Sequence, residues 1–371
     1  MKIKDIINTL SELAPLNYAE DFDNVGLLVG NPQNEVKGIL VTLDTLETVV
    51  DEAIEKDCNL IVSFHPIIFK GLKRFTGQSY LERTVQKAIK HDISIFAIHT
   101  ALDNAFQGVN SIICDQLGLT NKNILIPQKE TIYKLTTYVP VNDAQQVRDA
   151  LFSVGAGALG NYESCSFSSE GIGTFKGNEH SNPTIGERGQ LHYEKEIALH
   201  MTFKKHVKAK VLNSLFDAHP YEEVAYELST LENTNQHIGM GMVGELEQAM
   251  PVLKFLEFVK SRMKTPVIKH SHLCKDHVQK IAVLGGSGSF AIAAAKQKGA
   301  DVFITADLKY HDFFSAEEQI ILADIGHYES EQFTKNFLAD YLSKKITNFA
   351  NALKTNKVYL STTNTNPVKY L

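Results

Sequence analysis

Six residues near the C-terminal end, Gly326-His327-Tyr328-Glu329-Ser330-Glu331, set an imidazole and a carboxylate four positions apart. They follow the apolar run Ile320 to Ile325, which reads as a buried strand. They precede Phe333, Phe337, Leu338, Tyr341 and Leu342 at helical spacing. On the first turn of that helix His327 and Glu331 share one face. Such a pair could hold a divalent metal at a strand's C-terminal edge. The competing account is a helix-start histidine beside a solvated glutamate. The spacing recurs at His99 and Asp103, which follow the apolar run Ile93 to Ile98, and a third histidine, His65, ends the run from Asn59 to Ser63.

Three histidines at strand ends, two of them with a carboxylate four residues on, are hard to explain as structural residues. Mixed imidazole and carboxylate donors suit zinc, iron, manganese or nickel rather than calcium. The five donors His65, His99, Asp103, His327 and Glu331 exceed what one catalytic ion usually takes. Two divalent ions per chain sharing a bridging water fit better, with zinc the first choice. Asp307 and His311 could move protons or support the ligands, or simply form a capped turn. The loop Gly285-Gly286-Ser287-Gly288-Ser289 could offer backbone N–H groups to an anion, or serve close helix–sheet packing. It lacks the G-x-G-x-x-G spacing of dinucleotide folds. Lys73 and Arg74 could neutralise a triphosphate, or lie in a solvated loop.

Short apolar strands alternating with amphipathic helices must position these residues. Helices are expected over 3–13, 45–56 and 80–91, and strands over 38–44, 59–63 and 93–98. The alternation stops near Asn121 and resumes at Lys280 with strands over 280–284, 301–305 and 320–325. This pattern implies an α/β domain with a mainly parallel sheet, split in sequence, its halves at 1–127 and 236–371. Open parallel sheets bind ligands beyond the C-terminal ends of their strands. Asp44, His65, His99, the glycine loop, Asp307 and His327 all fall there. Residues 128–235 have a different texture, and their β-α-β-β-α-β order predicts a small inserted ferredoxin-like α+β domain. Its glycine-rich stretch, Gly155 to Gly160, is accompanied by Tyr162, Phe167, Phe175 and Tyr193, which argue for a packed unit over a linker.

With 371 residues, 43% apolar and 22% charged, the chain has the composition of a soluble globular protein of two or three domains. A net charge of -6 argues against non-specific binding to nucleic acid or an anionic membrane. No apolar run approaches the roughly 20 residues needed to span a bilayer. The N-terminus lacks a signal-peptide pattern. Four scattered cysteines without a C-x-x-C pair point to a reducing cytoplasm.

Six ordered stretches together carry a resemblance. They are Phe22 to Gly30, His65-Pro66-Ile67-Ile68-Phe69, His99-Thr100-Ala101-Leu102-Asp103, Gly285 to Ser289, Thr305 to His311, and Gly326 to Glu331. They resemble the Nif-three-like dinuclear-metal proteins, the GTP cyclohydrolase I type 2 homologues. The middle resembles the PII- or CutA-like insert of longer members, most clearly at His219-Pro220-Tyr221-Glu222-Glu223-Val224. The resemblance implies a two-metal site on His65, His99, Asp103, His327 and Glu331 and a toroidal homohexamer. It also implies a metal-dependent hydrolase acting on a nucleotide, with GTP ring opening as the specific candidate. The alternative is a ring-shaped regulatory protein with structural metals and a sensing insert. Three positions depart from the family pattern: Phe64 stands where a second histidine is usual, Phe22 for a tryptophan, and Ala306 for a glycine. The first removes a possible ligand.

Overall fold

The strands Ile39–Thr42, Leu60–Ser63 and Ser94–Ala97 are buried at every residue. Continuous apolar runs of this kind need cover on both sheet faces. In the computed structural model, which describes residues 1–158, 162–233, 235, 237–348 and 357–371, they form the centre of a five-stranded sheet. They run parallel, with Thr42 beside Ser63 and Ser63 beside Ala97. Ending in step, they bring the segments holding Asp44, His65 and His99 out side by side. Val358–Leu360 adds a parallel edge next to Ile39–Thr42, and Gly26–Val29 closes the other edge antiparallel to Ser94–Ala97. Helix Tyr80–Lys90 covers one face; its Ser79 hydroxyl accepts from the Glu82 N–H, and Lys87 and Lys90 sit in its last turn.

The sequence pattern predicts a single mainly parallel sheet; the chain forms two. The second, six-stranded sheet runs Lys269–His270, Ile321–Asp324, Val302–Ala306, His277–Ser287, Gly239–Pro251, Thr120–Pro127. Only its three central strands are mutually parallel. The long strand Gly239–Pro251 lies antiparallel between His277–Ser287 and Thr120–Pro127. It opens on Gly239-Met240-Gly241, inside the stretch where the sequence alternation is interrupted. In space those glycines permit close approach, since a Cβ at Gly239 would sit 2.2 Å from the Ile126 carbonyl oxygen. Here too the parallel strands end in step, with Thr305 beside Asp324, so Asp307 and His327 emerge together. One continuous core containing Val62, Phe96 and Ile98 from the first sheet and Val283, Ile304 and Ala323 from the second joins the two. Each such valine, isoleucine or phenylalanine contributes roughly 1.5–3 kcal/mol on burial.

The C-terminal tail is fixed to the first sheet's helix layer by one carboxylate. Buried Glu52 accepts from the Ser361, Thr362 and Thr363 hydroxyls and from the Thr362 and Thr363 N–H groups. Burial alone would raise its pKa; those donors overcome it and lower it from 4.5 to about 2. Glu52→Gln is expected to cost about 3 kcal/mol at pH 7. A depressed carboxylate stabilises above its unfolded value and ceases to as pH falls through the folded one. Urea unfolding curves of the two proteins should therefore converge as pH falls from 4.5 towards 2. A gap independent of pH would refute the clamp.

These sheets belong to one compact unit, Met1–Pro127 with Gln236–Leu371; Gln128–Asn235 forms another. The second unit is a four-stranded antiparallel sheet in the order Phe167–Phe175, His192–Lys204, Ile132–Pro140, Tyr226–Leu231. Helices Ala144–Ser153 and Lys208–Ala218 complete a β-α-β-β-α-β order, their Val147, Leu151, Val211 and Leu215 packed on Leu135, Val139, Leu199 and Phe203. Where the sequence suggests short strands and turns before Gly189, one nine-residue strand, Phe167–Phe175, is present. Within the glycine-rich stretch, Leu159 and Gly160 lie outside the described residues. Among the described residues, no helix is long and apolar enough to cross a membrane.

Candidate metal centre

The Leu60–Ser63 strand delivers His65, whose N–H donates to the Leu43 carbonyl while the Ser63 hydroxyl donates to the His65 carbonyl. His99 opens the short helix His99–Asp103, its N–H bonded to the Phe64 carbonyl. Its φ of +27° is unusual for a side-chain-bearing residue, and such strain gathers at functional sites. Asp103 follows one turn later. Gly326, with φ +93°, makes the turn into helix His327–Glu331, so the segments that carry all five residues leave the C-terminal edges of the two sheets.

Each of the three imidazoles is held from behind by a carboxylate. The Nδ1 of His65 lies 2.7 Å from Asp44 Oδ1, that of His99 2.9 Å from Asp23 Oδ1, and that of His327 2.7 Å from Asp307 Oδ2. A proton on Nδ1, donated to the carboxylate, leaves Nε2 as the lone-pair atom. This is the arrangement that orients histidine towards a metal and raises its basicity. Asp23 is itself fixed by the Thr100 N–H and hydroxyl, and Asp307 by the Ser287 hydroxyl.

The Nε2 atoms of His65 and His327 both face Glu331 Oε2, at 3.1 and 3.3 Å. Yet that oxygen is buried with no hydrogen-bond partner. Two donors each roughly 2.0–2.2 Å from a tetrahedral ion are separated by about 3.3–3.5 Å. The His327 separation matches donors around one ion and the His65 separation is slightly shorter, while the oxygen itself is left without a hydrogen bond. Half-buried Asp103 lies beside this group, its Oδ1 shielded and also without a hydrogen-bond partner. His99 completes the gathering, its ring 5.2 Å from that of His65. The donor atoms of His65, His327 and Glu331 lie within 4.8 Å of one another, a group that could hold a metal ion, with Asp103 and His99 next to it rather than within it.

The electrostatics point the same way. Burial, then the neighbouring Glu331, pushes the Asp103 carboxyl well above the usual range. Burial would raise Glu331 too, but the facing His65 and His327 hold it well below. Burial opposes charge on His65 and His327; Glu331 with Asp44 and Asp307 lifts them to about 10 and about 9. The raised Asp103 shows two neighbouring carboxylates competing for the same positive charge, which a bound cation would supply to both.

Other expected participants land differently. Gly286, at φ +68°, passes so close to the cluster that a Cβ would meet Glu331 Oε1 at 2.5 Å. The Gly285 and Gly286 N–H groups donate to Asn110 Oδ1 and Ser330 Oγ, so packing, rather than anion binding, accounts for them. Asp307 orients His327 and takes a φ of +57°; Ala306 ends a strand without strain. His311 lies exposed on the 3-10 segment Tyr310–Ala316, its ring against Tyr310 and Phe314. Phe64 is completely buried, its ring 4.9 Å from His65 and 5.5 Å from His99. The sequence marks Asp23 and Asp44 without revealing their roles; the available signal is an acidic residue just past a strand or turn.

Two cavities flank the cluster. One of about 230 Å3 is lined by Phe22, His99, Asp103, Gly286 and Glu331, the other of about 520 Å3 by His65, Lys269, His327, Tyr328 and Tyr370. The one lysine or arginine among their described lining residues, Lys269, already pairs with buried Asp324 at 2.7 Å. Lys73 and Arg74 sit on an exposed loop and line neither cavity.

Residues 1–367 match the family model for Duf34/NIF3 (NGG1p interacting factor 3). The chain is 38% identical over 374 aligned residues to the GTP cyclohydrolase 1 type 2 homolog of Bacillus subtilis, covering 99% of this chain and 98% of that one. It is 36% identical to the Staphylococcus epidermidis homologue of the same name, across the whole of both chains. Among solved structures, a Bacillus cereus protein related to NIF3 superposes with TM-score 0.83 at 35% identity, covering 100% of this chain and 99% of that one. A Staphylococcus aureus protein gives 0.76 at 32%, with the same coverage. Fold, length and sequence agree, and the chain belongs to the Duf34/NIF3 family.

Proposed function

We propose that this chain is a metal-dependent hydrolase carrying two divalent ions, with a nucleotide as substrate. The observation that carries the reading is the convergence of His65 Nε2, His327 Nε2 and Glu331 Oε2, with His99 and Asp103 beside them. Bound there, divalent ions such as zinc would lower the pKa of a coordinated water towards 7, making hydroxide available at neutral pH. The chain's own residues do the rest. Asp44, Asp23 and Asp307 keep each imidazole's lone pair inward, and buried Glu331 and Asp103 neutralise the ions. The larger cavity, with Tyr328 and Tyr370 on its wall, receives the substrate beside His65 and His327. The name borne by the relatives supplies GTP as the candidate, its guanine ring the bond to be opened with loss of formate. His311 is the remaining candidate for proton transfer, and a cytoplasmic homohexameric ring the proposed assembly.

The test is formate release from GTP by zinc-loaded protein, beside Glu331→Gln. Release by the first and at least a hundredfold loss in the second would support the enzyme. Metal-dependent formate release unchanged in the variant would overturn this site. A second reading, a regulatory ring with structural metals, is favoured by the missing donor at Phe64 and by cavities whose one lysine is already paired. It expects no turnover, but a metal-dependent rise in unfolding temperature that Glu331→Gln removes.

A further inference from the structure

A cavity of about 650 Å3 lies in the Gln128–Asn235 unit, over the outer face of its sheet. The strand Phe167–Phe175 supplies its floor, with Ile172 and Phe175 among the lining residues, and Tyr138, Ile185, Glu196 and Tyr221 line it further. Glu196 is only 8% exposed. The Tyr221 hydroxyl donates to Glu196 Oε1 at 2.9 Å. The other oxygen has no described hydrogen bond and lies over Gly173, where a Cβ would come within 2.1 Å of it. No described ion pair involves Glu196, and the basic lining residue, Lys176, is exposed. A carboxylate buried this far is almost always paired, because desolvation costs several kcal/mol.

The surroundings are built to hold that carboxylate in place. His219 donates from Nε2 to the Tyr138 carbonyl and accepts the Tyr221 N–H at Nδ1, fixing Tyr221. Burial lowers its pKa, in keeping with the neutral ring this pattern requires. Phe175 packs edge-on against Tyr221, with ring centroids 5.7 Å apart. The roof is tied down by the Asn182 N–H to Glu222 and by the Thr184 hydroxyl to the Pro220 carbonyl. The Tyr221-Glu222-Glu223 stretch, braced by His219 and Pro220, is thus a wall of a cavity with a fixed negative charge in it. Aromatic rings beside a desolvated carboxylate recognise organic cations through charge and cation–π attraction.

We infer that this cavity binds a small organic cation, an ammonium or guanidinium group on a compact apolar body, through Glu196 and the Phe175–Tyr221 pair. Glu222 and Glu223 at its lining extend the negative field and disfavour phosphorylated ligands. The cavity belongs to a different unit from the metal residues and does not depend on the hydrolase reading.

Calorimetric titration of the full chain with phenethylammonium, agmatine and neutral 2-phenylethanol tests it. At least one cation should bind, and the alcohol roughly tenfold more weakly or not at all. Glu196→Gln should weaken the cation by roughly tenfold or more, whereas Tyr221→Phe, which keeps ring and charge, should stay within about threefold. Ligand-free Glu196→Gln should unfold at the same or a higher temperature, since an uncompensated buried charge has been removed. A destabilised Glu196→Gln would assign the residue to the fold and overturn the proposal. So would equal binding of the alcohol, or no cation bound at about 10 mM.

Discussion

Glu331→Gln is expected to abolish stoichiometric retention of divalent metal. The carboxylate is almost wholly buried, its Oε2 faces both His65 and His327, and no hydrogen bond satisfies that oxygen. A glutamine of the same shape keeps the packing but removes the charge that offsets an incoming cation, and can turn an N–H towards the two imidazoles. Losing a carboxylate that merely supports a ligand costs about 10–100-fold in affinity. Asp44→Asn should fall in that range, and Glu331→Gln beyond it. Elemental analysis of protein purified without chelator gives the first readout. Thermal or urea unfolding with added zinc gives the second, because an ion at a thousand times its Kd stabilises the native state by about 4 kcal/mol. The parent should gain this and lose it to chelator; the variant should change little in either direction. Equal metal content in both proteins would remove Glu331 from the site.

How much of this can be read from the chain depends on whether the signal is local. His65, His99 and His327 stand out because each closes an apolar run that must be a strand, and strand ends in a parallel sheet share an edge. Asp103 and Glu331 stand out because four residues is one helical turn. Three of the six motifs that suggest the family contain those histidines, and the family assignment follows the set. The supporting carboxylates are harder. Asp23 reaches His99 across 76 residues, and Asp44 reaches His65 from a neighbouring strand, so neither pairing has a sequence period. Asp307 reads in sequence equally as a proton carrier, a support for the ligands or part of a capped turn, because its side chain's direction depends on a left-handed backbone that no local pattern announces. The division into two sheets is hidden for another reason. Gly239 and Gly241 fall where the sequence alternation is interrupted, yet it is their missing side chains that let Gly239–Pro251 lie against its neighbours. Tail contacts such as Asn366 to Glu329 and Thr365 to Asp44 likewise join the last residues to the site's rim with no trace in spacing.

Phe64→His should add a metal donor and raise the share of the two divalent ions that each chain retains through dialysis. Phe64 has no exposure, sits in the main core, and places its ring 4.9 Å from His65 and 5.5 Å from His99. It therefore occupies the wall of the cluster between two candidate ligands, and an apolar ring there contributes packing but no lone pair. An imidazole is narrower than a phenyl ring and so can enter the space without overpacking. In the metal-free protein it would be a buried polar ring with few partners, costing about 1–3 kcal/mol. A cation taking up its lone pair removes that penalty. The variant should thus be less stable than the parent in chelator and recover most of the difference in zinc. Inductively coupled plasma measurement of metal per chain and urea unfolding with and without zinc separate the two effects. If metal content stays at the parent's value and the stability loss persists in zinc, position 64 belongs to the core alone. The parent's metal complement is then set by His65, His99, Asp103, His327 and Glu331 without need of a sixth donor.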